Sequence, residues 1–266
     1  WGFLKKRFLS VYPLYLGVYG IYLAVYHPLG LKKNLLIAPI ELLGLQAFFP
    51  GSFFVLHNGG TWFLSCLLVA YFLFPYMAAG IRMLGVGWKW ALLGILYLLC
   101  ALAPWICSVF NFSDVYSNPL LRTFEFVIGC LTADVMLSRL QLRPNRAFGG
   151  LIAATILLGL GIGGFQYIGF GDYRSYQFWC IPLFAVILVC LAGADGEKLN
   201  RVLKNRIVRY CCDISFAFFL AQFFVWDISR WLFSLWAGEI GGVVKIILSF
   251  VINVALAVFL HEIVEK

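Results

Sequence analysis

HNGGTWFLSCLLVAYFLFPYMAAG, residues 57–80, opens as a polar, glycine-bearing turn and runs on as an uninterrupted apolar helix. Asn58 is a good N-cap, since its side-chain oxygen can accept one of the free backbone N–H groups at a helix start, and Gly59-Gly60 lets a backbone or ligand approach closely. From Gly59 to Ala79 no residue is charged, and about 20 such residues cross about 30 Å of hydrocarbon. Trp62 and Ser65 stand three residues apart, on one face of this helix just inside the membrane boundary. Two readings of that face stay open: an interfacial aromatic belt beside a cap, or the wall of a polar cavity.

Similar runs recur on both sides of it, over 8–26, 88–110, 119–138, 147–169, 178–194, 214–233 and 242–264. The chain is 63% hydrophobic and only 12% charged, whereas ordinary soluble domains are about a quarter charged. The pattern predicts an all-α, polytopic transmembrane helical bundle with about eight spans, a single domain over 1–266. A single signal peptide does not account for so many runs, and the strict alternation of a membrane barrel is absent.

Leu35–Phe49 is apolar too, yet it is short and carries Pro39, Glu41 and Gln46, so it reads as a re-entrant or interfacial segment. The basic residues agree. If Lys5, Lys6 and Arg7 are cytoplasmic and Leu35–Phe49 does not cross, most of the 20 lysines and arginines fall on the same side, the bias that orients membrane proteins. Both ends of the chain are then cytoplasmic. The net charge of +8 is thereby spent on orientation in loops, and nucleic acid is not an expected partner. Lys198 to Tyr210, with Leu199, Val202, Leu203, Ile207 and Val208 among five bases, predicts an amphipathic helix lying on the inner leaflet. The eight cysteines lie mostly in apolar runs without a C-x-x-C pair, which points to buried thiols and to no metal site.

Ionisable groups inside a span point to function, because each costs a few kcal/mol at the bilayer centre unless paired or facing a cavity. Arg122 and Glu125, three apart, can share a face and pair. They read either as a polar cavity for a sugar or phosphorylated donor, or as a helix-packing ion pair. Asp227 and Arg230 repeat the spacing near a span end and read as a local interfacial pair, while Asp134 and Lys245 snorkel to water. His27 and His57 border the outer boundary and His261 the inner end, so no histidine sits mid-span. From the residues alone, the reading ends at a polytopic membrane protein with a polar cavity.

Several stretches, in order, resemble the acyltransferase family 3 membrane proteins, integral-membrane O-acyltransferases of bacterial cell-surface polysaccharides. Lys6-Arg7-Phe8-Leu9-Ser10-Val11-Tyr12-Pro13 is similar to the family's basic segment before its third helix, with Ser10 where a second arginine is expected. Trp62-Phe63-Leu64-Ser65, running on to Tyr71-Phe72-Leu73-Phe74-Pro75, resembles its Trp-x-Leu-Ser helix, with Leu67 and Leu68 where many members carry a Glu pair. Arg122-Thr123-Phe124-Glu125-Phe126-Val127-Ile128-Gly129 resembles its Phe-x-x-Gly helix, and Ile214-Ser215-Phe216 with Leu220-Ala221-Gln222 its late Ile-Ser-Tyr element, Gln222 standing where His is common.

The resemblance implies transfer of an acyl group, most often acetyl, from acyl-CoA to a sugar hydroxyl of an envelope glycan or lipid-linked precursor, in the bacterial inner membrane. It implies Arg7 for the coenzyme phosphates and Asn58, Trp62, Ser65, Arg122, Glu125 and Gln222 for the substrate cavity, with acyl-CoA as donor and no metal. The family's catalytic histidine is expected upstream of Trp1, on the first of two further helices that bring the total to ten. Within 1–266 the stand-in bases are Glu125 and His57, and this chain alone is expected to be inactive. The rival reading is a transporter or flippase of a lipid-linked oligosaccharide, which inverted repeats would favour; none is seen. With both ends cytoplasmic, cysteines placed at Lys89 and Arg143 should escape an impermeant thiol reagent added outside. Labelling of both would invert the orientation.

Overall fold

The computed structural model describes residues 2–25, 30–49, 56, 58–110, 115–137, 143–170, 175–193, 201–202, 204–235 and 241–265. Most of the described residues are helical, with no strand among them. The long helices follow the apolar runs: α1 Gly2–Val25, α2 Gly30–Leu42, α3 Trp62–Met83, α4 Val86–Val109, α5 Pro119–Thr132, α6 Pro144–Tyr167, α7 Gln177–Gly193, α8 Arg206–Asp213, α9 Ser215–Ser234 and α10 Gly242–Leu260. Two of them end in a π turn, α5 at Ala133–Leu137 and α10 at His261–Glu265.

The helices of α3, α4, α6, α9 and α10 are long and apolar enough to cross a membrane. In α1 the 24-residue length suffices, but Lys5, Lys6, Arg7 and four tyrosines dilute its apolar character. The 17 residues of α7 are apolar throughout. By contrast α2 has 13 residues, about 20 Å at the helical rise; that is too short to cross.

Two compact units divide the chain, residues 1–65 with 205–266, and residues 66–204. In the first, α1 buries Val11, Leu14, Tyr15, Val18, Tyr19 and Tyr22, the 3-4-3-4 spacing of a single helix face. That face meets α9, where Tyr22 stacks on Phe224, and the π turn after α10, where a β-carbon at Gly17 would collide with Val264. At the start of α3, Gly60 lies under the ring of Phe223, again with no room for a β-carbon.

In the second unit, α4 and α5 enclose a core of Leu96, Cys100, Ile128 and Leu131 with Ile81 from α3. The π turn carries Asp134, whose carboxylate accepts from the Nζ of Lys89 in the first turn of α4. This corrects the expectation that Asp134 snorkels to water. The burial of Lys89, 12% exposed, also makes it a poor accessibility reporter, so exposed Arg143 carries that test. The expected amphipathic stretch is found as α8, capped by Asn205 and without a buried residue. Arg201 and Val202 are helical as well, Lys204 and Asn205 interrupt the helix before α8, and residues 198–200 and 203 lie outside the described residues.

α6 packs on α7 through a stripe of small residues. Ala147, Gly150, Ala154 and Gly161 share one face of α6, at spacings of three, four and seven, as in a left-handed helix seam; Leu157, at the intervening position, offers its backbone carbonyl. A β-carbon at Gly150 would press on Cys190, and one at Gly161 would overlap the indole of Trp179, whose Nε1 donates to the Leu157 carbonyl at 3.1 Å. Gly161→Ala is therefore expected to cost about 1–3 kcal/mol by overpacking. The same change at Gly163, which has open space around it, should be neutral or slightly stabilising. Thermal melts of both variants in detergent check this, and equal melting temperatures would show that the seam tolerates bulk.

Candidate functional site

In the first unit, buried polar groups form a chain. The Tyr15 hydroxyl donates to the backbone carbonyl of Glu41, and Gln46 Nε2 donates to that hydroxyl at 2.6 Å. Ser65 Oγ donates to Gln46 Oε1 at 3.0 Å and accepts the Ala47 N–H at 3.2 Å. Gln46 is 0% and Glu41 1% exposed. The end of α2 and the turn after it are thus pinned between α1 and α3 by buried groups. Each would cost about 1–3 kcal/mol if left unpaired.

Asn58 caps the Gly59–Thr61 turn: Oδ1 accepts the Gly60 N–H at 3.1 Å, and Nδ2 donates to the Leu220 carbonyl at 3.3 Å. Its own carbonyl accepts the Thr61 hydroxyl. The cap thereby ties the start of α3 to α9, two residues before Gln222. Asn58 and Ser65 spend their polar atoms inside the protein, as parts of the scaffold. Trp62 is half-buried and sits edge-on to Phe63. Arg7 is exposed, with its guanidinium over the Phe3 ring. Gln222 is exposed on a groove between α9 and α10. His261 is buried against the edge of Tyr210, whose hydroxyl donates to Glu262. His27 and His57 lie outside the described residues.

In the second unit, Asn118 caps α5 by accepting the N–H groups of Leu120 and Leu121, with Pro119 at the first helical position. That cap fixes where Arg122 and Glu125 point. They form the expected pair, Nη1 to Oε2 at 2.6 Å, with side chains 19% and 24% exposed. The guanidinium is only half used. Its Nε and Nη2 are buried and make no hydrogen bond among the described residues. These two atoms form one edge of the planar group, the edge that meets a carboxylate or phosphate with two parallel hydrogen bonds.

Arg230 does not pair with Asp227 among the described residues, a correction to the expected local pair. It faces the α9–α10 groove, where Lys245, expected to snorkel, holds its Nζ 5.9 Å from the centre of the Phe233 ring. Reading from sequence alone missed Tyr15, Glu41 and Gln46 as one buried cluster, and Asn253 in α10, 6% exposed, whose Oδ1 has no hydrogen-bond partner among the described residues. The signal for the first was present, since Glu41 and Gln46 are what barred the segment from crossing.

This chain belongs to acyltransferase family 3: the family model, described as an acyltransferase domain, matches residues 1–262. Among curated proteins it is similar to the acyltransferase MdmB of Streptomyces mycarofaciens, 24% identical over 260 residues. The match takes in 90% of this chain and 64% of MdmB, so the chain spans less than two thirds of that relative's length. No solved structure matches it.

Glu125→Ala would leave the Arg122 charge without its counter-ion and is expected to cost roughly 3–5 kcal/mol, with part regained when the two residues are exchanged. A melting temperature unchanged by Glu125→Ala would show the carboxylate to be solvated and the pair idle.

Proposed function

We propose that the protein moves an acyl group, acetyl in the first instance, from acyl-CoA to a sugar hydroxyl of a cell-envelope polysaccharide or its lipid-linked precursor. It does so in the bacterial inner membrane, with both ends of this chain cytoplasmic. The family supports acyl transfer. The open edge of Arg122 supports a substrate site in the helical interior. In the reaction the hydroxyl oxygen attacks the thioester carbonyl, the C–O bond forms as the C–S bond breaks, and the hydroxyl proton leaves with the coenzyme thiol. Negative charge collects on the carbonyl oxygen midway. Fixed donors in a water-poor site stabilise such charge far better than water does, and the Nε and Nη2 of Arg122 are donors of that kind. Glu125 holds the guanidinium in orientation and acts as a positioning residue. Arg7, exposed at the start of α1, is assigned to the phosphates of the coenzyme.

Radiolabelled acetyl-CoA supplied to membranes carrying the full-length gene should place label in glycan. Movement of glycan across the membrane without label would support a flippase instead. Arg122→Lys keeps the charge and loses the two-donor edge, so transfer should fall by about 10²-fold at unchanged melting temperature. Full activity in that variant would remove Arg122 from the site.

A further inference from the structure

α9 and α10 run antiparallel, and their register is marked by the Ser249 hydroxyl donating to the Ser229 hydroxyl at 3.0 Å. Around this contact lies a groove of about 730 Å³, within the range of small-molecule sites. Its walls include Phe218, Trp226, Phe233 and Phe250. On one side of the serine contact stand Arg230 and Lys245; on the other, the amides of Asn253 and Gln222. No carboxylate lines the groove among the described residues, and Asp227, three residues from Arg230, is not part of its wall.

The spacing is specific. Lys245 and Asn253 lie four residues to either side of Ser249, about 6 Å each way along the helix. Cationic end and buried amide are therefore about 12 Å apart along the axis. Both helices are apolar enough to span a membrane, and Trp226, Ile246 and Phe250 are exposed at the groove mouth, so the opening faces the bilayer. An occupant must come from the lipid phase, carry negative charge at one end, and offer a hydrogen-bonding segment some way along before it becomes apolar. Asn253 gives independent support, because its buried, unpartnered Oδ1 at membrane depth has an amide's costs without an amide's bonds.

We propose that the α9–α10 groove binds one anionic phospholipid. The headgroup phosphate sits between Arg230 and Lys245, with Lys245 held in place by the Phe233 ring. The glycerol and ester region reaches the Asn253 amide, and an acyl chain continues along Phe218 and Phe250. The site is independent of the transfer chemistry assigned to Arg122.

Native mass spectrometry of the whole chain, released from nanodiscs of mixed phosphatidylglycerol and phosphatidylcholine, tests this. One phosphatidylglycerol should be retained in preference to phosphatidylcholine. Arg230→Gln with Lys245→Gln should cut that preference on the order of tenfold, since each basic residue contributes to anionic-lipid attraction. Arg230→Lys with Lys245→Arg should keep it. Asn253→Leu should shorten retention of both lipids and leave their ratio intact. If the double glutamine variant does not fold, Lys245→Gln alone, at an exposed position, carries the comparison. Equal retention of the two lipids, or a preference indifferent to both charges, would overturn the proposal. Displacement of the lipid by millimolar glycerol phosphate would overturn it too, by showing a site for free phosphate.

Discussion

A polar group inside the hydrocarbon must find its partner within the protein, and the architecture follows from that requirement. Glu41 and Gln46 could not have crossed the bilayer in a bare helix. The Gln46 amide is taken instead into a chain that runs from the Glu41 backbone carbonyl through Tyr15, Gln46 and Ser65 to the Ala47 N–H, which fastens a short segment between two long helices. Lys89 with Asp134 and Arg122 with Glu125 answer the same demand in the other unit. The groups that answer it completely are scaffold. Those that answer it in part are where a ligand can bind.

That distinction sorts the polar residues by what they have left to give. Asn58 and Ser65 have the chemistry of a binding site and the position of one, yet their atoms are consumed by the Gly60 N–H, the Leu220 carbonyl, Gln46 and Ala47. Arg122 keeps two nitrogens in reserve, and Asn253 keeps an oxygen. Motif resemblance weighs all of these alike, because the residue type is the same whether its bonds are spent or not.

Helix existence was legible because bilayer thickness dictates the length of an apolar run, and the reading of 88–110, 147–169 and 214–233 lies within a few residues of α4, α6 and α9. The segment at Leu35 was readable from its charge and length as too short for a span, and α2 has 13 residues. Pairings between distant residues were not. Nothing near Lys89 announces Asp134, forty-five positions on, and the i+3 spacing of Asp227 and Arg230 suggested a bond that the rotamers do not make. Spacing constrains which side chains share a face; it does not say which neighbour offers the better partner. The interruption before α8 has a local cause, since the Asn205 side chain accepts the Ile207 N–H and starts a new helix there.

The stripe of small residues on α6 bears on how firmly that helix is held. Glycine and alanine have almost no rotamers to surrender, so docking α6 on α7 carries little ordering cost, and the attraction is backbone-close dispersion along one line. Beyond the seam, Phe165 stacks on Tyr176 and meets Phe178 and Trp179 edge-on, while most of the remaining surface of α6 is exposed. Opening the seam would free α6 while the core built on Leu96, Cys100, Ile128 and Leu131 stays shut. In the language of partial unfolding, such an opening would be a sub-global one, in which α6 parts from α7 before that core melts.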